Sequence, residues 1–317
     1  MIKVEHLTKY YGETLAVNDL SFEIGEGKVY GFLGPNGAGK STTMNIITGC
    51  LSPTAGKVLV GGHDILEEPL EARRLIGYLP EHPPLYLSET PLEYLRFVGE
   101  AKGLRGEALK KEINKVIEET GIESVENRLI SSLSKGFRQR VGIAQALIGN
   151  PGIIILDEPT VGLDPIQIIE IRSLIKQLGE THTVIFSSHI LSEVQALCSE
   201  ILIIANGELV AFDTPENLEK AAAEKSSVLL TVLADREETE AVLQASAENG
   251  PFSWTALGAE NGEVSVRISA ENEDARSLLS RLFFDFAEAG LPIIGMTAEK
   301  AGLEEVFVEL TEEKEAE

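Results

Sequence analysis

Nine residues, GPNGAGKST at 34–42, match the pattern G-x-x-x-x-G-K-[ST]. They follow an apolar run, VYGFL, and lead into KSTTMNIITG, whose spacing is helical, so the pattern sits where a strand turns into a helix. Gly34, Gly37 and Gly39 allow backbone N–H groups to close on phosphate oxygens; Pro35, Asn36 and Ala38 complete the loop, and the helix N-terminus adds positive potential. In such a loop Lys40 reaches β- and γ-phosphates, the Ser41 hydroxyl holds Mg²⁺ and Thr42 binds a phosphate. A glycine-rich turn without a ligand is the bland alternative, and the flanking strand and helix argue against it. A second group, GIIILDEPT at 152–160, sets two carboxylates at the end of a continuous apolar strand. Strand ends of this kind line the ligand crevice of open α/β sheets. Asp157 suits a metal-side role, and Glu158 suits orienting and deprotonating an attacking water.

Three further stretches bear on the same chemistry. LSKGFRQR at 133–140 opens a helix, and Ser134 with the backbone N–H of Gly136 forms another anion cradle. One nucleotide needs only one cradle, so the second is read as serving a partner's nucleotide. SSH at 187–189 follows the apolar run TVIF. YLPEHPPLY at 78–86 lodges the carboxylate of Glu81 in a loop stiffened by prolines.

The elements that must position these groups follow from periodicity. From Ile2 to about Leu33, short alternating runs broken by glycine predict antiparallel strands. The continuous runs GIIIL and TVIF, with helical sequence between them, predict a parallel sheet buried on both faces. Residues 91–128 are charged and helically spaced, which predicts a separate helical lobe. Around 215–226 the chain turns polar and alanine-rich. Beyond that point the order strand, helix, two strands, helix, strand predicts a ferredoxin-like α+β unit, with a last helix over GLEEVFVELTEE.

Composition bounds the partners. At 317 residues the chain is long enough for two domains. The net charge is −24: residues 1–220 hold 20 Lys and Arg against 30 Asp and Glu, and residues 221–317 hold 7 against 21. Such a chain is a poor partner for nucleic acid or anionic lipid. No apolar run approaches the roughly 18–20 residues of a membrane span, and MIKVEHLTKYYG has no signal-peptide core. Cys50 and Cys198 form no CxxC pair and suit a reducing compartment, so a cytoplasmic location is expected.

The order GPNGAGKST, LSKGFRQR, ILDEPTVGLD, SSH resembles the ATPase subunit of an ABC transporter, in the bacterial exporter branch of drug-export and gliding-motility-associated ATPases. The stretch SSHILSEVQALCSEILIIANGELVAFDTPENL and the tail LEEVFVELT support the narrower placement. The resemblance implies an α/β P-loop NTPase cassette over residues 1–220: a mixed sheet with antiparallel N-terminal strands, a parallel core and a helical lobe at about 85–150. Residues 225–317 would then form the accessory α+β domain. It implies ATP and Mg²⁺ as ligands, and two ATPase domains paired head to tail, with each ATP between one phosphate loop and the other subunit's signature loop. Both half-sites are intact, so a homodimer satisfies this, and so does pairing with a related second subunit. Tyr11 is similar to the aromatic that stacks on adenine, Asp164 to the residue that touches the opposite subunit, and His189 to the switch histidine at the γ-phosphate. Glu81 stands where the family usually has the Gln that reaches Mg²⁺ and the attacking water. The signature loop departs from the commoner LSGGQ at Lys135 and Phe137 but retains Ser134 and Gly136. His6, His63, His82 and His182 lack such context and are read as solvated. Transport would then rest on separately encoded membrane permeases, with this chain peripheral on the inner face. A soluble ABC ATPase without a transport role is the rival, and it usually carries two cassettes or long coiled-coil insertions absent here.

Overall fold

The computed structural model describes residues 1–223, 226–260, 262–270 and 275–299. In chain order they form β1 (Ile2–Tyr11), β2 (Thr14–Ile24), β3 (Val29–Leu33), α1 (Lys40–Ile47), β4 (Ala55–Val60), β5 (His63–Asp64), α2 (Pro69–Arg74) and β6 (Ile76–Leu79). Then come α3 (Pro91–Ala101), α4 (Gly106–Thr120), α5 (Lys135–Leu147), β7 (Ile153–Leu156), α6 (Pro165–Leu178), β8 (Thr183–Ser188), α7 (Leu191–Leu197), β9 (Glu200–Ala205) and β10 (Glu208–Asp213). The remainder is α8 (Pro215–Ala223), β11 (Ser226–Leu233), α9 (Arg236–Asn249), β12 (Ser253–Glu260), β13 (Glu263–Ala270), α10 (Ala275–Glu288) and β14 (Ile293–Glu299). Contacts divide the chain into a unit ending at Pro215 and another beginning at Glu216.

In the first unit, β1 pairs antiparallel with β2 and β4 in a sheet ordered β2-β1-β4-β5. The larger sheet is ordered β10-β9-β3-β8-β7-β6 and is parallel except at β10. Periodicity grouped Val29–Leu33 with the antiparallel strands, yet β3 lies between β8 and β9 and runs parallel to both. All five of its residues are buried, as a strand covered on both faces requires. Gly31 in β3 has a packing purpose: a Cβ there would come within 2.1 Å of Val194 Cγ1 and 2.8 Å of Cys198 Sγ. Its bare backbone lets α7 lie directly on the strand.

Helix α1 is central to the core. Its Met44, Ile46 and Ile47 are fully buried among Ile2, Leu7 and Val60 of the first sheet and Phe32, Ile155, Ile185 and Ile204 of the second. Phe22 and Phe32 meet edge to face with ring centroids 5.5 Å apart. In the helical lobe, α3 starts with a reciprocal cap between Thr90 and Glu93. Helix α4 buries Leu109, Ile113, Val116, Ile117 and Thr120 along one face and ends at a left-handed Gly121.

A second expectation is overturned. His182 is 7% exposed rather than solvated, because it lies in the turn after α6, with its Nδ1 3.3 Å from the Leu178 carbonyl and 2.8 Å from Thr181 Oγ1. Those partners satisfy its Nδ1 within the protein.

The second unit has the predicted strand and helix order through β14. Its sheet, β12-β13-β11-β14, is antiparallel throughout. Val228, Leu230, Val232, Val264, Val266 and Ile268 alternate onto one face, where Leu278, Leu282 and Phe286 of α10 complete the core. The helix expected over GLEEVFVELTEE lies outside the described residues.

Candidate nucleotide site

The loop at 34–39 joins β3 to α1, and its last residue is the helix N-cap. Gly39 has φ +98°, and a Cβ on it would meet the Ala16 carbonyl oxygen at 2.5 Å. Both conformation and space therefore demand glycine. Gly39→Ala is expected to weaken binding of a fluorescent ATP analogue by at least about tenfold, since strain of roughly 1–3 kcal/mol falls on the loop; equilibrium titration reads this directly.

Lys40 opens α1 with 6% of its surface exposed. Its Nζ donates to the carbonyl oxygens of Gly34 at 2.8 Å and Pro35 at 3.2 Å, and lies 3.4 Å from Glu158 Oε1. The ammonium is thus aimed back over the loop that precedes it. Next along the helix, Ser41 Oγ donates to Asp157 Oδ1 at 3.1 Å.

Strands β7 and β8 are parallel neighbours, which brings Asp157 and Glu158 beside Ser187, Ser188 and His189. Ser187 was not among the residues expected from sequence, yet it is the bridge. Its hydroxyl donates to Asp157 Oδ1 at 2.6 Å and accepts from the Glu158 N–H at 2.7 Å. His189 Nδ1 lies 3.0 Å from Glu158 Oε2, a contact in which the ring donates if the proton is on Nδ1. Glu158 is 7% exposed and its φ is +47°, in the left-handed region that a non-glycine residue adopts at a cost. The carboxylate is consequently held at both oxygens, one by Lys40 and one by His189.

A cleft of about 300 Å³ is lined by Pro35 to Thr42 together with Glu81, Glu158, Val161 and His189. Glu81 contributes from the proline-stiffened loop, with its side chain 44% exposed and 4.0 Å from His82 Nδ1. Beneath that loop, burial and the nearby Asp157 push the Tyr78 phenol up, so it remains a neutral donor to Asn45 Oδ1 at 3.2 Å. Among the described residues, no group of three or more His, Cys, Asp or Glu side chains gathers into a metal cage. The Ser41 hydroxyl and Asp157 carboxylate are nevertheless hard oxygen donors converging at one point. That set fits Mg²⁺, which takes one or two protein oxygens beside nucleotide phosphates.

Gly34 and Asp157 do not line the cleft but adjoin it through Lys40 Nζ and Ser41 Oγ; Tyr11, Ser134, Gly136 and Asp164 do not line it either. Tyr11 is exposed at the end of β1, with Lys9 Nζ 5.3 Å from its ring centroid. Ser134 caps α5, accepting from the Phe137 N–H, and Asp164 caps α6, accepting from the Gln167 N–H at 2.9 Å. A Cβ on Gly136 would be 2.8 Å from the Gln167 side chain, so the starts of α5 and α6 adjoin. The structure thus sets Tyr11, Ser134, Gly136 and Asp164 apart from the cleft, with Gly136 buried and the other three exposed. No helix among the described residues is long and apolar enough to cross a membrane.

Comparison with known proteins places this geometry. Residues 17–161 match the family model described as ABC transporter. The chain is 33% identical to the linearmycin resistance ATP-binding protein LnrL of Bacillus subtilis (strain 168), over 98% of each chain. It is also 33% identical to the bacitracin transport ATP-binding protein BcrA of Bacillus licheniformis, over 98% of this chain and 97% of the other. Among solved structures, the dimeric post-hydrolysis state of the ATP-binding cassette MJ0796 bound to ADP and Pi superposes with a TM-score of 0.62. That match has 30% identity and covers 68% of this chain and 98% of that one. A phosphate loop facing two strand-end carboxylates, carried on a chain that parallels such relatives nearly end to end, belongs to the ABC transporter family as one of its ATP-binding, ATP-hydrolysing subunits.

Proposed function

We propose that this subunit drives export across a cell membrane, with ATP seated on the 34–42 loop and Glu158 acting on the attacking water. The observation that carries the reading is the convergence of Lys40, Glu158 and His189 in one cleft floored by that loop. Water attacks the γ-phosphorus in line, the bond to the ADP oxygen breaks, and the proton lost by the water passes to Glu158. Phosphate oxygens compete with Glu158 for the Lys40 ammonium, so nucleotide binding turns the carboxylate toward the water. His189 orients the other carboxylate oxygen and faces the γ-phosphate side of the cleft. Ser41 and Asp157 would hold Mg²⁺, with Glu81 on the same wall. Bound there, the ion neutralises charge on the phosphate oxygens.

The residues set apart from the cleft are assigned to pairing. Tyr11 offers a ring for adenine, and Ser134, Gly136 and Asp164 serve the nucleotide of a second copy in a head-to-tail homodimer. The dimeric state of the cassette MJ0796 supports that arrangement. Residues 1–220 are the ATPase domain and residues 225–317 an accessory domain. The linearmycin resistance for which LnrL is named and the bacitracin transport for which BcrA is named support export over a soluble, non-transport role. The subunit then works on the cytoplasmic face of the membrane through permeases encoded separately, without a nucleic acid partner. Expressed with the membrane proteins encoded beside it, the chain should sediment with membranes and co-purify with them. A chain that stays in the supernatant in that setting contradicts the reading.

Glu81 supplies a second measurable expectation. A carboxylate offers oxygen to a metal but lacks an amide's donor, so Glu81→Gln should retain ATPase activity to within about threefold. Glu81→Ala should raise the Mg²⁺ concentration giving half-maximal rate by about threefold or more, the scale of one lost charged contact. Wild-type Mg²⁺ dependence and coupling in the Ala variant would reduce Glu81 to a turn residue.

A further inference from the structure

Glu193, in the first turn of α7, buries a carboxylate to 1% exposure, and the chemistry above makes no use of it. Its Oε2 accepts from Thr160 Oγ1 at 2.7 Å and from Ser188 Oγ at 2.9 Å. Its Oε1 faces Arg172 Nη2 of α6 at 3.3 Å. Ser188 Oγ in turn accepts from the Ile190 N–H at 3.0 Å. Thr160 lies two residues after Glu158, and Ser188 and Ile190 flank His189 on either side. One buried carboxylate therefore joins the segment that carries the candidate base to the segment that carries its histidine.

Burying a charge is costly unless it is matched, and an apolar side chain would fill the same volume more cheaply. The match is made with hydroxyls from two catalytic segments and a guanidinium from α6, the helix that Asp164 caps. The Arg172 pairing rests on charge, since Arg172 Nε and Glu193 Oε1 are buried without a hydrogen-bond partner among the described residues. What this arrangement supplies is angular definition. Glu158 sits at φ +47°, and a residue in that region persists only where its surroundings over-determine it.

We infer that Glu193 is a positioning residue for ATP hydrolysis: it ties Thr160 to Ser188, and so sets the 3.0 Å contact between His189 Nδ1 and Glu158 Oε2. Arg172 holds Glu193 in that orientation. The inference rests on the roles proposed for Glu158 and His189.

Glu193→Gln tests it in the full-length chain. The amide retains an oxygen for the two hydroxyls but turns a donor toward the Arg172 guanidinium. Turnover should fall about 10- to 100-fold, the effect of a small displacement of a catalytic group, with ATP affinity and KM within about twofold of wild type. In chain labelled with ¹⁵N-histidine, the His189 ring signals, assigned by their loss in His189→Gln, should move toward their positions in Glu158→Ala. Should circular dichroism show Glu193→Gln unfolded, Ser188→Ala and Thr160→Val each remove one donor and leave the Arg172 pair intact. Each should then lower kcat by about threefold or more, with the same spectral movement. Turnover within twofold of wild type, or a loss that tracks the folded fraction while the His189 signals stay put, overturns the inference. Glu158→Gln measured alongside separates the two levels. If it too turns over normally, the role of Glu158 falls; if it is impaired while Glu193→Gln is not, only the positioning role falls.

Discussion

Glu158→Gln is expected to lower steady-state ATP turnover by about 10²- to 10⁴-fold, the usual contribution of a positioned general base, while ATP affinity stays within about threefold of wild type. The substitution isolates proton acceptance from geometry. Glutamine has the same length, can keep its contact with His189 Nδ1, and places an oxygen or an amide near Lys40. What it cannot do is take a proton from water. Removing the negative charge beside Lys40 also frees the ammonium for phosphate, so binding is expected to hold or improve. Phosphate release followed over hours gives the rate, and titration with a fluorescent ATP analogue gives the affinity. Because closure without hydrolysis traps the paired state, ATP should convert this variant to a dimer by light scattering. A variant that hydrolyses within tenfold of wild type would remove Glu158 as the base.

Lys40→Ala acts on binding instead. The ammonium donates to two carbonyl oxygens of its own loop, so its loss removes both a phosphate partner and a brace for the loop. Hydrogen bonds to charged groups are worth about 1.5–3 kcal/mol each, and a loss of about 3 kcal/mol raises the ATP dissociation constant roughly 100-fold. Thermal unfolding makes the contrast visible. At an ATP concentration 100 times the wild-type dissociation constant, wild type gains about 2.7 kcal/mol of stability, and the variant only about 0.4 kcal/mol. Equal ATP-induced shifts in the two melting curves would contradict a phosphate role for Lys40.

The parts of this site that sequence made legible are those whose information is local. The 34–42 loop is contiguous, and its glycines announce a backbone that must come close to something. The continuous runs at 152–156 and 183–186 announced strands buried on both faces, and β7 and β8 are such strands. Contacts across strands are another matter. Ser187 bridges Asp157 and Glu158 because β7 and β8 are adjacent, a fact of sheet order that no spacing encodes. Glu193 reads as one more solvated acid among 51 Asp and Glu, yet it is buried, because its partners come from β8, α6 and the turn after β7. His182 misled for the same reason: polarity was taken for exposure, and its carbonyl and hydroxyl partners make burial affordable. Val29–Leu33 read as one more N-terminal strand, and its parallel pairing with β8 and β9 puts it in the other sheet.

The contact of α7 with Gly31 has a bearing on motion. Val194 fills the space a side chain would occupy, so α7 cannot slide along β3 without colliding with the strand or opening a void against it. Ser188 ends a buried strand on one side, and Leu191 begins that wedged helix on the other. His189 therefore hangs from a span only two residues long, anchored at both ends. In the role proposed for it, His189 would respond to a nucleotide by turning its side chain on a fixed mount and not by the swing of a lid. If His189 has the role proposed for it, the slow conformational step is expected to lie in the pairing and parting of subunits and not at this histidine.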